Sequence, residues 1–333
     1  MTDLHLQTEM PSAAALKGVP LLDHLGLIAV RGADAEAFLN TQLTNNVAPA
    51  VSSANARLAG FCSPKGRLLA TFVQWRHGDT CFLQTSRDVL EPVLKRLRMF
   101  VLRSKVMLED VSESVVQSGF IEARSADGER SEAWQVTGDE TRSSIRYPDA
   151  DGAARSLVVL TRTAWNAEEP GFGRASSPVD PQIWRWSEIR AGLPRVTTAT
   201  QDRFVPQMIN FEALGGVDFK KGCFPGQEVV ARSQYLGKLK RRMALATVAS
   251  DDAGIVPEPG ADVFSAGDDG QACGIIVNAE RGPDGAIAML VELPLALFDS
   301  QSLRVGATNG PPLRIEPLPY PLPDNDVFVR PKL

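Results

Sequence analysis

The stretch KKGCFPGQEVVAR, Lys220 to Arg232, decides how this chain is read. Gly222 and Gly226 frame Cys223 and Pro225, directly behind the doublet Lys220-Lys221. Glycine lets a backbone bend tightly and approach a ligand closely. Gln227 to Arg232 has the composition of a helix, and a helix start offers free N–H groups with a partial positive charge. A carboxylate or phosphate would be favoured there, and the same field would activate the Cys223 thiol. Glu228 and Arg232 are four apart and share a face. They are either a ligand-facing carboxylate with its partner or a surface pair contributing about 0.2–0.5 kcal/mol, and spacing alone favours the pair. The chain has three histidines, at 5, 24 and 77, none near Cys223. A locally built Cys–His nucleophile is therefore not indicated, and the plain alternative for Cys223 is a small buried residue.

The whole chain bounds the answer further. Its 333 residues suit two or three units at roughly 100–200 residues each. It is 44% hydrophobic and 23% charged, an ordinary globular composition. The net charge of −5 exerts no general pull toward nucleic acid, so an RNA role would need a local basic patch. Cys62, Cys81, Cys223 and Cys273 form no CxxC pair. They read as reduced thiols, not a disulfide framework or a self-contained zinc site. Residues 1–16 lack a basic segment ahead of an apolar run, so they do not read as a secretory signal. No apolar run reaches the ~20 residues of a membrane span. A soluble cytoplasmic protein is expected. Phosphate-loop, dinucleotide and nucleophile-elbow motifs are all missing.

Upstream of the loop, SPVDPQIWRWSEIRAGLPR carries strong helix punctuation: Asp180 as N-cap, Pro181 at the first helical position, Gly192 and Pro194 beyond the end. Trp184 and Trp186 bracket Arg185 and cannot share a face, so one is expected in the core and one exposed or lining a pocket. Nearer the N-terminus, GLIAVRG reads as a strand, and Asp34 as the cap of a helix carrying Phe38, Leu39 and Leu43. ARLAGFCSPKGRLLATFVQW reads as a hairpin turning at Ser63-Pro64-Lys65-Gly66. RDVLEPVLKRLRMFVL has helical spacing at Leu90, Val93, Leu94, Leu97 and Val101, with Pro92 tolerable only near its first turn. The order of elements resembles a split βαβ arrangement. Residues 113–175 form a turn-rich β region. From Met243 onward, short apolar runs between turns suggest a small barrel or sandwich. The basic runs Leu94–Arg98, Arg103–Lys105 and Lys238–Arg242 read as a solvated helix face and a solvated hairpin.

With these residues in view, KKGCFPGQEVVAR matches the signature of the YgfZ-type folate-binding proteins, relatives of the glycine-cleavage aminomethyltransferase (T-protein). FLNTQLTNNV, the Ala56–Phe72 hairpin, LKRLRMFVLRSKV, IRAGLPRV, FVPQMINFEALGGVDFKKGC and IEPLPYPL resemble the same family. The resemblance implies an α+β, three-domain T-protein-like fold around a folate pocket, with a C-terminal small β-barrel. The expected units are residues 20–112, 113–240 and 241–333. It implies a tetrahydrofolate-binding factor that supports iron–sulfur clusters, chiefly 4Fe–4S, and through them tRNA modification by radical enzymes. Its partners would be A-type carrier proteins or client 4Fe–4S enzymes, and no membrane. By position, Trp184, Lys221, Gly222, Gln227, Glu228 and Arg232 would bind folate. Cys223 would be the functional thiol and one ligand of a shared cluster. A second folate-associated tryptophan is replaced here by Leu25. The rearranged Glu188-Ile189-Arg190-Ala191-Gly192 carries no ligand role. The T-protein supplies an acid from a Gly-Gly-x-x-Asp-Asp hairpin for proton transfer. The matching Lys65–Thr71 has none, which favours an assembly factor without turnover over an aminomethyltransferase. The net charge argues against direct contact with tRNA.

Overall fold

The computed structural model describes residues 21–47, 55–122, 132–139, 141–164, 179–235, 239–266 and 270–323. The N-terminal stretch 1–16 and Lys238 lie outside these.

The first sheet is built from β1 (Leu25–Arg31), β2 (Arg57–Cys62), β3 (Leu68–His77), β4 (Thr80–Ser86) and β5 (Met107–Asp110), all pairs antiparallel, in the order β2-β3-β4-β1-β5. The helices α1 (Ala35–Gln42) and α2 (Arg87–Arg98) follow β1 and β4. Side chains alternate across a strand, and here both faces are covered. Ile28 and Val30 pack with Phe38, Leu39, Val89 and Val93, while Leu25, Leu27 and Ala29 join the common core. Burial on both sides is why this strand reads as an unbroken apolar run.

Three details differ from the sequence reading. Asp34 does not cap α1; its carboxylate accepts the Lys105 backbone N–H at 2.7 Å. The helix α2 ends at Arg98: the N–H groups of Phe100 and Val101 bond three residues back, to Leu97 and Arg98, and the chain then turns away through Leu102 at a left-handed φ of 44°. Pro92 sits inside α2 beyond its first turn. The carbonyl it frees four residues earlier, on Asp88, accepts the Thr198 hydroxyl at 3.1 Å, which offsets the lost helical bond.

The second sheet runs β6-β9-β8-β7, from β6 (Val115–Glu122), β7 (Val136–Gly138), β8 (Arg142–Ala150) and β9 (Ala153–Thr161). The helix α3 (Pro181–Arg190) behaves as its punctuation requires. The Asp180 side chain accepts the Gln182 N–H at 2.7 Å, and Gly192 leaves the helix at φ 67°. It packs on β6 and β8 on one side and on strands of the third sheet on the other. The third sheet, β14-β11-β12-β13-β10-β15, uses β10 (Arg241–Val248), β11 (Asp262–Ser265), β12 (Ala272–Arg281), β13 (Ile287–Pro294), β14 (Leu303–Val305) and β15 (Arg314–Glu316). Among the described residues its outer strands β14 and β15 do not pair as strands. Val305 N donates to the Pro311 carbonyl at 3.1 Å and Leu313 N to the Leu303 carbonyl at 3.0 Å, so an antiparallel bridge ties β14 to the segment leading into β15 and the sheet curls into a half-barrel. One apolar core runs through all three sheets, including Leu27, Trp75, Tyr147, Trp184, Leu245 and Leu290.

Within the basic run, Lys240 is exposed as expected, but Arg241 and Arg242 are not simply solvated. Arg242 is buried and pairs with the equally buried Glu212 at 2.7 Å, and Arg241 pairs with buried Glu292. Burial raises the Glu212 carboxyl, and Arg242 opposes that shift. Asn210, at φ 56°, donates to the Met243 carbonyl at 2.7 Å. Together these bonds fix the 206–212 turn onto β10, just ahead of the glycine loop.

Candidate functional site

Two places carry polar chemistry: the Lys220–Arg232 loop and a cavity between α3, the first sheet and the third. The loop is held by side chains from the end of α1. The Thr44 hydroxyl donates to the Gly216 carbonyl at 2.6 Å, and Asn45 Nδ2 donates to the Gly215 carbonyl at 2.7 Å. Asn46 donates to the Asp218 carboxylate at 2.9 Å. Three consecutive polar residues thus bind three residues of the glycine segment, Gly215, Gly216 and Asp218. The hairpin turn at Ser63–Gly66 closes as expected, with Gly66 N donating to the Ser63 carbonyl at 2.9 Å and a φ of 71°. It meets the loop backbone to backbone. A Cβ on Gly226 would lie 2.4 Å from the Ser63 carbonyl oxygen and 2.6 Å from Gly66 N.

This packing gives the signature residues different roles. Lys221 turns inward instead of facing the start of α4 (Gln227–Tyr235). Its Nζ donates to the carbonyls of Asn40 at 2.6 Å and Leu43 at 2.9 Å, capping the C-terminal end of α1 where a cation is favoured. It also lies 5.1 Å over the Phe224 ring. Burial lowers its pKa, against Asp218 and Cys223. Glu228 and Arg232 are exposed and form a 3.6 Å ion pair on the helix surface. Gly222 stands in open space and Gln227 is half-buried. Cys223 is exposed, whereas Cys62 and Cys81 are buried. Burial pushes the Cys62 thiol up to about 12 and raises that of Cys81, so both stay protonated and inert at neutral pH. Among the described residues no group of three or more Cys, His, Asp or Glu could hold a metal ion.

The cavity has a volume of about 680 Å³. His24 and Ser86 line it from the first sheet, Arg185 and Glu188 from α3, Asn278 and Glu280 from β12, and Arg195 and Thr197 from the segment after α3. A narrow extension is lined by Thr71, Trp134 and Tyr147, and it shares Glu188, Leu193 and Arg195 with the main cavity. Glu188 and Arg195 form a mostly buried ion pair on the wall between the two. Burial alone would lower the Arg195 pKa, but Glu188 and Tyr147 together outweigh it and the net shift is upward. Arg195 Nε and both ring nitrogens of His24 are buried without a hydrogen-bond partner. Burial, and then the charges of Arg195 and Arg185, hold His24 down to about 3, so its ring is neutral with one donor and one acceptor. At the rim, Arg185 pairs with Glu280 at 2.6 Å, and Arg87 with Glu113 at 2.9 Å.

The tryptophans divide as the sequence requires. Trp184 is fully buried on Gly119, where any Cβ would lie 2.2 Å from its ring, and it meets Tyr147 edge-on. Trp186 is half-buried and lines a separate cavity beside Arg190. Leu25 is buried in the core next to His24. The cavity therefore gathers His24, Glu188 and Arg195, none of which the sequence reading assigned to a site. The signal available was the pairing of a lone glutamate in α3 with an arginine seven residues on. In the Lys65–Thr71 hairpin, the Thr71 hydroxyl accepts the Val196 N–H at 3.1 Å.

No family model matches the chain. Among curated proteins, "tRNA-modifying protein YgfZ" of Escherichia coli (strain SMS-3-5 / SECEC) is 31% identical over 322 residues, covering 94% of this chain and 96% of the relative. The protein of the same name from Shigella sonnei (strain Ss046) is 31% identical over 324 residues, with the same coverage. Among solved structures, the glycine cleavage system aminomethyltransferase T of Bartonella henselae matches with a TM-score of 0.64 at 14% identity, over 90% of this chain and 84% of that one. That likeness concerns the fold. Among the described residues no helix is long and apolar enough to cross a membrane.

Proposed function

The chain belongs to the YgfZ family, and from that premise we propose that it binds tetrahydrofolate in the cavity around Glu188 and Arg195. In this reading it supports 4Fe–4S clusters of the radical enzymes that modify tRNA. The observation that carries the folate reading is the set of buried, partnerless nitrogens on the cavity wall. A pterin edge alternates donors and acceptors. Neutral His24 offers one of each, Arg195 Nε offers a donor and Glu188 an acceptor. The volume falls in the range of small-molecule sites. The rim arginines already have carboxylate partners, so the glutamate tail gains little. Micromolar affinity or weaker is expected, and a micromolar constant corresponds to about 8 kcal/mol of binding free energy.

Binding without transfer is the favoured reading. Aminomethyl transfer needs a proton acceptor at the folate nitrogen, and β2, β3 and their turn contain no acidic residue between Arg57 and His77. Thr71 occupies that part of the cavity wall with its hydroxyl engaged. Cys223, exposed on a glycine loop, would donate a single thiolate to a cluster whose other ligands come from a partner, since clusters take four. The test pairs isothermal titration with tetrahydrofolate, aminomethyl transfer from glycine-cleavage components, and complementation of a strain defective in tRNA methylthiolation. Micromolar binding and complementation without transfer are expected. Transfer without complementation would reverse the ranking.

A further inference from the structure

Four of the seven exposed large hydrophobic side chains among the described residues fall between positions 99 and 107: Met99, Phe100, Leu102 and Met107. Leu102 is 88% exposed. The segment has a definite shape. Phe100 N donates to the Leu97 carbonyl at 3.0 Å, Val101 N to Arg98 at 3.2 Å and Ser104 N to Val101 at 2.8 Å. These turns hold Leu102 at a φ of 44°, a conformation that residues with a bulky side chain rarely adopt. The sequence from Pro92 to Leu108 contains five basic residues and no acid. Of the acids that flank this stretch, Asp34 is engaged on the Lys105 backbone and Glu109 on Arg31 at 3.0 Å. Glu91 lies one turn before Lys95 on α2 and joins no ion pair among the described residues. Lys95, Arg96, Arg103 and Lys105 join no ion pair among the described residues.

Basic residues in the last turn of a helix are favoured by its partial negative charge, which accounts for Lys95, Arg96 and Arg98. It accounts neither for Arg103 and Lys105 nor for the apolar side chains. We propose that residues 99–107 are a docking surface for an acidic partner protein. Its apolar recess takes Leu102 with Met99 and Phe100, and its rim carboxylates face Lys95, Arg96, Arg103 and Lys105. An apolar centre rich in methionine and aromatic side chains, with charge at the rim, is the anatomy of a protein interface. RNA fits less well, because the most exposed side chains are aliphatic and offer no flat face for a base. A lipid surface also fits less well. The apolar stripe of α2 is already buried through Val89, Leu90, Val93, Leu94 and Leu97, leaving one turn to insert. This inference is independent of the folate reading.

The test places a photo-crosslinking residue at Leu102 of the full chain in cells. Ile255, 95% exposed in an acidic stretch, serves as the control position. A discrete protein adduct at 102, absent at 255, is expected, with the crosslinked partner peptide net negative. The double variant Arg96→Glu/Arg103→Glu, checked for native circular dichroism, should weaken that adduct by about tenfold or more. Equal adducts at both positions, no adduct, an RNA adduct, or a partner peptide without acids would overturn the proposal. So would sedimentation of the wild-type protein with phosphatidylglycerol/phosphatidylethanolamine vesicles in a Leu102-dependent manner.

Discussion

Substituting Gly226 with alanine should destabilise the protein far more than the same change at Gly222, four residues away in the same loop. Gly226 adopts a φ of 79°, where a residue with a Cβ costs about 1–2 kcal/mol. The added Cβ would meet the Ser63 carbonyl oxygen at 2.4 Å and Gly66 N and Cα at 2.6 Å. All three are backbone atoms of a closed turn, so no side chain can rotate away, and overpacking of that kind costs about 1–3 kcal/mol. The sum, about 2–5 kcal/mol, is a large fraction of the 5–15 kcal/mol typical of a folded protein. Gly222 has no heavy atom within 4 Å of a built Cβ and no left-handed φ. Its substitution should stay within about 0.5 kcal/mol. Thermal unfolding by circular dichroism reads both, with Gly226→Ala lowering the midpoint by about 3–7 °C for a chain of this length. Gly66→Ala combined with Gly226→Ala should cost less than the sum of the singles, because both disrupt one contact. If Gly226→Ala melts like the wild type, or Gly222→Ala costs as much, the loop does not rest on the hairpin as described.

Other predictions concern the cavity and the lysine. The ordinary His24 value of 6.5 falls to about 3 on folding, so the neutral ring's stabilisation is complete above 6.5 and is lost as pH falls toward 3. Between pH 7 and pH 5 the protein should lose about 2 kcal/mol from this group, and denaturant titrations of His24→Gln should lack that slope. Glu188→Gln should weaken tetrahydrofolate binding about tenfold or more by calorimetry, while also destabilising the fold by several kcal/mol as Arg195 loses its buried partner. An unchanged affinity would move the ligand elsewhere. Lys221→Met should cost about 1–2 kcal/mol, since the Asn40 and Leu43 carbonyls lose their donor. Folate affinity should change less than twofold, because the lysine points into α1 and not into the cavity.

The elements that announce themselves through local chemistry were readable in advance. The Asp180-Pro181 start and Gly192 end of α3, the Ser63–Gly66 turn and the strand at 25–31 depend on backbone preferences that a few adjacent residues set. The end of α2 was not readable, because the apolar spacing continues through Val101 while the backbone tightens into three-residue turns from Met99 onward. The 241–242 arginines were misread for a similar reason. Two adjacent cations look solvated in sequence, and only the arrival of Glu212 and Glu292 makes their burial tolerable.

The sequence by itself determined the family signature, the α+β character, the acid-free hairpin and the single cysteine of the glycine loop, since each is a matter of residue identity and short spacing. Only the tertiary structure decided what those residues face. It turned Lys221 inward as a helix cap, left Glu228, Arg232 and Cys223 in solvent and buried Trp184 on Gly119. It also brought His24, Glu188 and Arg195 together from three separate segments. Whether a side chain is a ligand group or a structural one depends on which distant backbone lies across from it, and no local pattern encodes that.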